Sequence, residues 1–262
     1  MKEAGVQYLF GDSDIAARRL QLLARVFAES TREFLCEIAP ATELALAVDL
    51  GCGPGFTTHL IAGTLRCARA IGLDASPRFI EIARATATDN ISFELHDVCA
   101  VPFPASPADL IFCRLLLTHL EDPAGAVTKW ATQLEPGGLL MIEEVEAIRA
   151  AHPVFTPYVK MVEAMLASQR NRLYAGPLVD GLGPPAGLTV VRSGVRAVRV
   201  KNSDAAKMFA LNLQAWKDGD FVRANYPAAS IRELEAALNE IAQDEPAPAE
   251  IEWNMRQAVF RN

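Results

Sequence analysis

Three aspartates in the first half of the chain each follow a short apolar or alternating run: Asp49, Asp74 and Asp97. Each run has the length of a β-strand, and the first is apolar enough to lie in a buried parallel sheet. The carboxyl ends of parallel strands meet at one edge, where open α/β sheets bind their ligands. Carboxylates there can accept hydrogen bonds from the hydroxyl and amino groups of a small molecule. The pattern therefore predicts a ligand site built on successive strand ends.

Glycines follow the first aspartate at a spacing of two: Gly51, Gly53 and Gly55. Glycine lets a ligand lie against the backbone where a Cβ atom would block it. With a helix that begins at Thr57 or Thr58, strand and glycine turn form the first unit of a nucleotide-binding α/β fold. The dinucleotide fingerprint G-x-G-x-x-G would need glycine where Phe56 stands. This disfavours an NAD-dependent dehydrogenase, while an ordinary tight turn stays the alternative for the glycines alone.

The acid-x-Gly-x-Gly-x-Gly pattern resembles motif I of the class I S-adenosylmethionine-dependent methyltransferases. The resemblance covers about residues 44–145 in four ordered segments, and one of them is the run L-x-P-G-G-x-L-x-I at 134–142. It implies S-adenosylmethionine as the cofactor, with S-adenosylhomocysteine as its product. The later part of the chain matches the family more loosely, and we interpret it as the part that defines the substrate.

The resemblance also implies a role for each strand-end acid. Asp49 would accept the ammonium group of the cofactor, and Asp74 would accept both ribose hydroxyls. Asp97 would accept the adenine amino group, while the backbone N–H of Val98 contacts a ring nitrogen. Arg114, where strand four ends, would touch the cofactor carboxylate. The expected cofactor contacts are Asp49, Gly51, Cys52, Gly53, Asp74, Ala75, Asp97, Val98, Arg114 and Tyr8.

His119 is the candidate catalytic residue, because it matches a position that points into the active site in several relatives. Its side chain has an unperturbed pKa near neutral pH, which suits a general base. A base is needed only if the methyl acceptor is a poorly acidic hydroxyl or an ammonium group. A histidine that is merely packed on a short apolar helix is the alternative interpretation.

Residues of the second half are the candidates for substrate contact: Tyr158, Met161, Met208, Asn212, Trp216 and Glu144. The methionines and aromatic residues recur at helical spacing, which is also typical of an ordinary core. In the methyltransferase interpretation they line a helical lid and favour an apolar or aromatic substrate. Glu144 stands at the end of strand five, where it could meet an amine or a hydroxyl of the substrate.

The expected fold is α/β, with a seven-stranded doubly wound sheet in the order 3-2-1-4-5-7-6 and strand seven antiparallel. Two N-terminal helices, the second over 30–38, would precede the sheet, and a helical lid would lie between strands six and seven. We predict a single domain over 1–262. It divides into a helical cap at 1–40, a Rossmann-like core at 41–202 and 246–262, and the lid at 203–245.

The composition of the chain restricts the kinds of molecule that the protein is expected to bind. The chain of 262 residues has a net charge of −7 and a pI near 5.2, which disfavours nucleic acid because phosphates need a basic face. Neither a membrane-length apolar run nor a signal peptide is evident, and the five cysteines form no C-x-x-C pair. We therefore expect reduced cysteines, a cytoplasmic monomer or homodimer, and no partner other than a small-molecule substrate. No spacing typical of metal ligands is present, and Cys113 and Arg114 stand where a metal-dependent site would need a carboxylate.

The sequence thus predicts transfer of a methyl group from S-adenosylmethionine to a small, apolar or aromatic molecule of secondary metabolism. The inferred reaction is an in-line displacement without metal, in which positioning of donor and acceptor supplies most of the catalysis. The alternative is a protein of the same fold that binds this cofactor without transferring methyl, as a cyclase or an accessory subunit. Cofactor contacts alone do not separate these two functions.

Overall fold

The computed structural model describes residues 12–38, 43–243 and 250–262. Tyr8, an expected cofactor contact, lies outside the described residues, as does the predicted linker at 244–249. Seven strands form one sheet: β1 (Leu44–Leu50), β2 (Cys67–Asp74), β3 (Ile91–Leu95), β4 (Ala108–Arg114), β5 (Leu134–Arg149), β6 (Thr189–Lys201) and β7 (Glu250–Arg261). Their order is β3-β2-β1-β4-β5-β7-β6. β7 pairs antiparallel with both neighbours, whereas β1 to β5 pair in parallel, which confirms the predicted topology.

Helices cover the sheet and fill the connections: α1 (Asp14–Cys36), α2 (Phe56–Thr64), α3 (Pro77–Arg84), α4 (Pro123–Ala131), α5 (Phe155–Ser168), α6 (Gly176–Val179), α7 (Asn202–Trp216), α8 (Asp220–Asn225) and α9 (Ala228–Gln243). A 3₁₀ turn over Leu117–His119 follows β4. None of the helices in the described ranges is long and apolar enough to span a bilayer. The helices α7 to α9 occupy the predicted insertion between β6 and β7.

A single helix stands where two N-terminal helices were predicted, because the residues that suggested a second start serve tertiary contacts. Thr31 is fully buried within α1, and its hydroxyl donates to a carboxylate oxygen of Glu143 on β5 at 2.6 Å. The side-chain amide of Gln257 on β7 donates to the hydroxyl of Ser30 at 3.2 Å. Ser30 and Thr31 therefore do not cap a second helix, and their side chains attach one face of α1 to the sheet.

The start of α2 also differs from the prediction. Gly55 precedes the helix with φ +89°, a left-handed conformation that favours glycine, and it provides no side-chain cap. The predicted cap Thr58 instead donates its hydroxyl to Asp49 at 2.7 Å. The turn and the end of β1 are thus joined by a buried side-chain hydrogen bond.

The insertion packs as a core of its own against α1, α5 and β7. Its buried residues include Leu213 and Trp216 of α7 and Leu238 of α9, and they join Met161 of α5 and Met255 of β7 in one apolar cluster. Burial of each such large side chain contributes about 1.5–3 kcal/mol. This cluster holds one face of α7 beside the carboxyl edge of the sheet, where the site lies.

Candidate active site

A cavity of about 870 Å³ opens at the carboxyl edge of the sheet. One part of its wall comes from the strand ends and turns of β1, β2, β3 and β4. The remainder comes from α1, the end of β5, α5, α7 and β7. We call these the strand-end half and the helical half. The volume lies in the range of small-molecule sites in proteins, and the cavity is large enough to hold two small molecules side by side.

The glycine turn gives the strand-end half a backbone surface. Gly51 and Gly53 line the cavity with φ +66° and +53°, conformations that residues with a Cβ rarely adopt. A Cβ atom placed on Gly51 would lie 2.8 Å from Cδ1 of Leu116. Cys52 lies between the two glycines and also lines the cavity. The backbone conformation therefore favours glycine at both positions, and at Gly51 the close packing of Leu116 also requires it.

Asp74 is held rigidly at the end of β2. One carboxylate oxygen accepts the N–H of Gly53 and the other accepts the N–H of Ser76, both at 2.8 Å. The side chain is half-buried and lines the cavity. Burial raises the pKa of this carboxyl, and the two backbone donors oppose that effect. Each oxygen keeps a further lone pair, so Asp74 can accept hydrogen bonds from two ligand hydroxyls.

The end of β3 provides the next wall of this half. Asp97 is exposed, lines the cavity and accepts the N–H of Cys99 at 2.8 Å. Val98 is buried beside it, and its carbonyl accepts the indole N–H of Trp130 at 2.8 Å. Ala75, which follows Asp74, lines the cavity as well. These predicted contacts therefore lie together along one side of the strand-end half.

Asp49 is placed differently from the other two acids. Its side chain is 2% exposed and does not belong to the cavity wall. It accepts the Thr58 hydroxyl behind the glycine turn, and burial raises its pKa to about 7. Asp49 therefore stabilises the glycine turn through its hydrogen bond with Thr58, and its contact with a ligand stays a prediction.

Arg114 lines the cavity where β4 ends, as its position in the sequence suggested. Its guanidinium group donates to the hydroxyls of Thr31 at 3.0 Å and Thr57 at 2.8 Å. Burial lowers its pKa, while the charges of Glu143 and Asp49 oppose that effect. Arg114 thus connects α1, α2 and β4 beside the cavity.

His119 lines the cavity, but its electrostatics do not match the expectation. Burial lowers the pKa of its imidazole to about 3, and the charge of Arg19 acts in the same direction. The pKa is therefore lowered from the ordinary value near neutral pH, because a buried imidazolium beside a cation is disfavoured. His119 is then neutral at neutral pH and a weak base, and its role as the proton acceptor stays a prediction.

Glu144 lines the cavity at the end of β5 and is fully buried. Its Oε1 atom accepts the backbone N–H groups of Leu116 and Leu117, each at 2.7 Å. Burial raises the pKa of this carboxyl to about 8, although the two backbone donors favour the charged form. An acid at a strand end is commonly solvated, whereas this one is enclosed between β5 and the turn after β4.

Aromatic rings dominate the helical half. Tyr158 of α5 stacks on Phe209 of α7 with ring centroids 4.1 Å apart, and Phe209 lies 5.8 Å from Trp253 of β7. Phe27 of α1 meets Trp253 edge to face at 6.0 Å. All four line the cavity. This wall offers apolar surface and ring faces to a ligand.

The predicted substrate residues divide into two groups. Tyr158, Met208, Asn212 and Glu144 line the cavity. The side-chain amide of Asn212 donates to the Tyr158 hydroxyl at 2.9 Å. Met161 and Trp216 are buried in the apolar cluster behind the wall and do not line the cavity. Their helical spacing indicated a buried face of the helix but did not show which of the buried residues line the cavity.

Sequence reasoning missed several residues of the wall. Phe209 is the neighbour of the predicted Met208, but the helical pattern alone did not distinguish it from core. Arg19 is 5% exposed, lines the cavity and lies close enough to His119 to affect its pKa. Trp253 lies on the last strand, far from any motif. Arg19 is the exception, because the resemblance to the methyltransferases offered Arg18 or Arg19 as a residue that faces the pocket, with a solvated arginine as the alternative, and Arg19 lines the cavity.

Within the described ranges, no group of three or more His, Cys, Asp or Glu side chains could hold a metal ion. The polar side chains of the cavity instead bind backbone N–H groups, as Asp74 and Glu144 do, or other side chains, as Arg114 and Asn212 do. The chemistry that this arrangement supports is therefore recognition by hydrogen bonds and apolar contact.

Residues 48–142 match a family described as "Methyltransferase domain". A trans-aconitate 2-methyltransferase from Methylobacterium radiotolerans is 35% identical over 166 residues, which cover 63% of this chain and 53% of that protein. The chain spans about half the length of the first curated relatives that it matches.

Solved structures share the fold. A Haloferax volcanii methyltransferase, solved in complex with the Trm112 methyltransferase activator, superposes with a TM-score of 0.61 at 20% identity and covers 98% of this chain and 99% of that one. The phosphoethanolamine N-methyltransferase 2 of Haemonchus contortus, solved with S-adenosylhomocysteine, gives a TM-score of 0.56 at 16% identity over 95% and 60% of the two chains.

The fold is Rossmann-like, and the strand-end half offers backbone and carboxylate groups that suit an adenosyl ligand. Over residues 48–142 the chain matches a methyltransferase domain, and there it is similar to the class I S-adenosylmethionine-dependent methyltransferases. The cofactor of this class is S-adenosylmethionine, and the residues present fit it. Gly51 and Gly53, whose positive φ angles favour glycine, leave two positions of the turn without a Cβ atom, and each Asp74 oxygen keeps a lone pair for a ligand.

Proposed function

We propose that this chain transfers a methyl group from S-adenosylmethionine to a small molecule with an apolar or aromatic body, without a metal ion. The observation that carries this proposal is the continuity of the cavity. The strand-end half and the aromatic helical half border the same space of about 870 Å³. A donor in one half and an acceptor in the other would therefore be held next to each other.

The strand-end half would hold the cofactor. Asp74 would accept the ribose hydroxyls, and Asp97 with the backbone of Val98 would contact the adenine. The turn at Gly51, Cys52 and Gly53 would take the methionine part, with Asp49 and Arg114 near its charged groups. Tyr8 and Ala75 complete the proposed set. When bound, S-adenosylmethionine supplies an electrophilic methyl group and leaves as S-adenosylhomocysteine, with the electron pair of the broken carbon–sulfur bond on sulfur.

The helical half would hold the acceptor. The stacked rings of Tyr158 and Phe209 favour a planar or apolar body, since ring faces bind such groups by burial and stacking. Asn212 and Glu144 supply polar atoms in the same wall, and Met208 adds apolar surface to it. His119 would contact the acceptor as a neutral side chain. The residues of this chain would thus act by positioning the acceptor and excluding water.

Two measurements test the proposal. Calorimetric titration with S-adenosylmethionine and S-adenosylhomocysteine, with NAD as the control, should show binding of the two sulfur compounds alone. Mass spectrometry of mixtures of small apolar and aromatic molecules should then show products heavier by one methylene unit. Tight cofactor binding with no methylated product from any acceptor would favour the alternative, a protein that binds the cofactor without transferring methyl.

A further inference from the structure

The two carboxylate oxygens of Glu144 have different surroundings. Oε1 accepts two backbone N–H groups, which together occupy its lone pairs. Oε2 is buried and has no hydrogen-bond partner among the residues that the structure describes. Glu144 is part of the cavity wall, so this enclosed oxygen belongs to a residue that borders the space where an acceptor would bind. A buried oxygen without a partner is costly and calls for an explanation.

The neighbouring residue shows that the arrangement is specific. Glu143 is equally buried on β5, but both of its oxygens have partners. One accepts the hydroxyl of Thr31 at 2.6 Å, and the other accepts the side-chain amide of Gln257 at 2.7 Å. Glu143 does not line the cavity. Of these two adjacent buried glutamates, only Glu144 lines the cavity and only Glu144 has a carboxylate oxygen without a partner among the described residues.

The two backbone N–H groups that bind Oε1 place Glu144 beside the strand-end half of the cavity. Leu116 and Leu117 follow β4, and the side chain of Leu116 is the group that a Cβ on Gly51 would approach within 2.8 Å. Leu116 therefore contacts both the glycine turn, through its side chain, and the Glu144 carboxyl group, through its backbone N–H. Ionisable groups on the surrounding elements are Glu143 on β5, Cys113 and Arg114 on β4, His119 on the 3₁₀ turn, Arg19 on α1 and Tyr158 on α5.

We propose that Oε2 of Glu144 receives the proton of the methyl acceptor, and that the acceptor is therefore a hydroxyl or an amine. The acceptor atom forms its new bond to the methyl carbon with its own lone pair. The O–H or N–H bond then breaks, and the proton passes to the ionised Glu144. Oε1 keeps its two backbone donors throughout, so the carboxyl does not need to move. This inference rests on the function proposed above and names the acceptor chemistry of that site.

A carboxylate acceptor gives the ionised form of Glu144 no role, because it carries no proton to transfer. A hydroxyl or an amine donates its hydrogen to Oε2 of Glu144 and keeps a lone pair for the methyl group. The relative from Methylobacterium is named for trans-aconitate, whose acceptor groups are carboxylates. We infer that this chain uses a different chemical class of acceptor.

The ionisation of Glu144 supports this role. A folded-state pKa of about 8 makes the ionised form a stronger base than an ordinary glutamate, which suits a proton acceptor near neutral pH. Because the ionised form is the active one, the rate should rise with pH and level off above about 8. Asp49, with a pKa of about 7, also titrates in this range, so the pH dependence must be assigned with a variant.

The test uses Glu144→Gln, whose remaining oxygen still accepts the two backbone N–H groups but whose amide receives no proton. Glu143→Gln is the matched control from the same strand. The probes are three biphenyls that differ in one group, namely phenylphenol, aminobiphenyl and biphenylcarboxylic acid, together with trans-aconitate. We expect methylation of the phenol or the amine, with an inflection near pH 8. Glu144→Gln should lower kcat by about 10²–10⁴-fold and remove the inflection, whereas Glu143→Gln should keep it.

A measurement without turnover checks the same group. Infrared difference spectra of wild type minus Glu144→Gln isolate the protonated carboxyl of Glu144, because Asp49 is common to both. The band should be present at about pH 6 and lost with a midpoint near 8. The inference would be overturned if Glu144 were already ionised at pH 6. It would also be overturned if wild type and Glu144→Gln methylated the carboxylate probe at the same rate. Turnover of no probe at all would instead overturn the proposed function.

Discussion

The two halves of the cavity are built in different ways. The strand-end half comes from short segments that each directly follow one of the strands β1 to β4, and Asp74 and Asp97 are held there by nearby backbone N–H groups. The helical half gathers side chains from Phe27 on α1 to Trp253 on β7. The first half is thus made by local turns, and the second by packing between distant elements. A substitution should therefore affect ligand binding in one half and both binding and folding in the other.

The largest effect should come from the helical half. Phe209→Ala removes a ring that packs against Tyr158, Phe155 and Trp253. The free energy of unfolding should fall by about 3–5 kcal/mol, as for other buried aromatic residues. Urea denaturation followed by circular dichroism measures this, with the exposed neighbour Lys207→Ala as the control. An effect as small as that of the control would mean that the wall is not part of the core.

A second prediction concerns Glu144 and the pH dependence of stability. Its folded pKa of about 8 lies above its ordinary value of 4.5, so its contribution is fully present below pH 4.5 and is lost as pH rises through 8. The stability of wild type relative to Glu144→Gln should therefore fall between these values, by up to about 1.4 kcal/mol for each pH unit. Denaturation of both proteins across this range measures the slope. A flat difference would show that Glu144 is ionised throughout.

In the strand-end half, Asp74→Ala should weaken binding of S-adenosylhomocysteine by about 1–3 kcal/mol, because it removes charge-assisted hydrogen bonds. The carboxylate also fixes the N–H of Gly53, so part of the loss reflects the turn. Calorimetric titration measures the affinity, and the exposed Asp89→Ala serves as the control. Unchanged affinity would contradict the assignment of Asp74 to the cofactor.

The smallest effect should come from Asp97→Asn. Asp97 is exposed, so water competes for its hydrogen bonds, and the amide oxygen can still accept the N–H of Cys99. Affinity for S-adenosylhomocysteine should fall by about 0.5–1.5 kcal/mol. Titration of this variant and of Asp74→Ala under the same conditions shows which of the two aspartates contributes more to the affinity. A loss larger than that of Asp74→Ala would reverse the importance that we assign to them.

The local signals in the sequence were sufficient for the sheet and for most of the strand-end half. Alternating and apolar runs identified all seven strands, and the glycines with Asp74 and Asp97 pointed to one edge. The cap of α2 was assigned to the wrong residue, because Thr58 forms its hydrogen bond with Asp49 rather than with the helix. Ser30 and Thr31 suggested a new helix for the same reason, since their partners lie on distant strands.

The sequence by itself determined the strands and the glycine turn, because strand period and glycine conformation are local properties. The strand order and the class of cofactor followed from the resemblance of these segments to a methyltransferase family. Tertiary structure decided which buried residues border the cavity, since Tyr158 and Met161 share one helix but only Tyr158 lines it. It also decided the chemistry of His119 and Glu144. Their pKa values depend on desolvation and neighbouring charges, which exist only once β5, α1 and the turn after β4 are packed together.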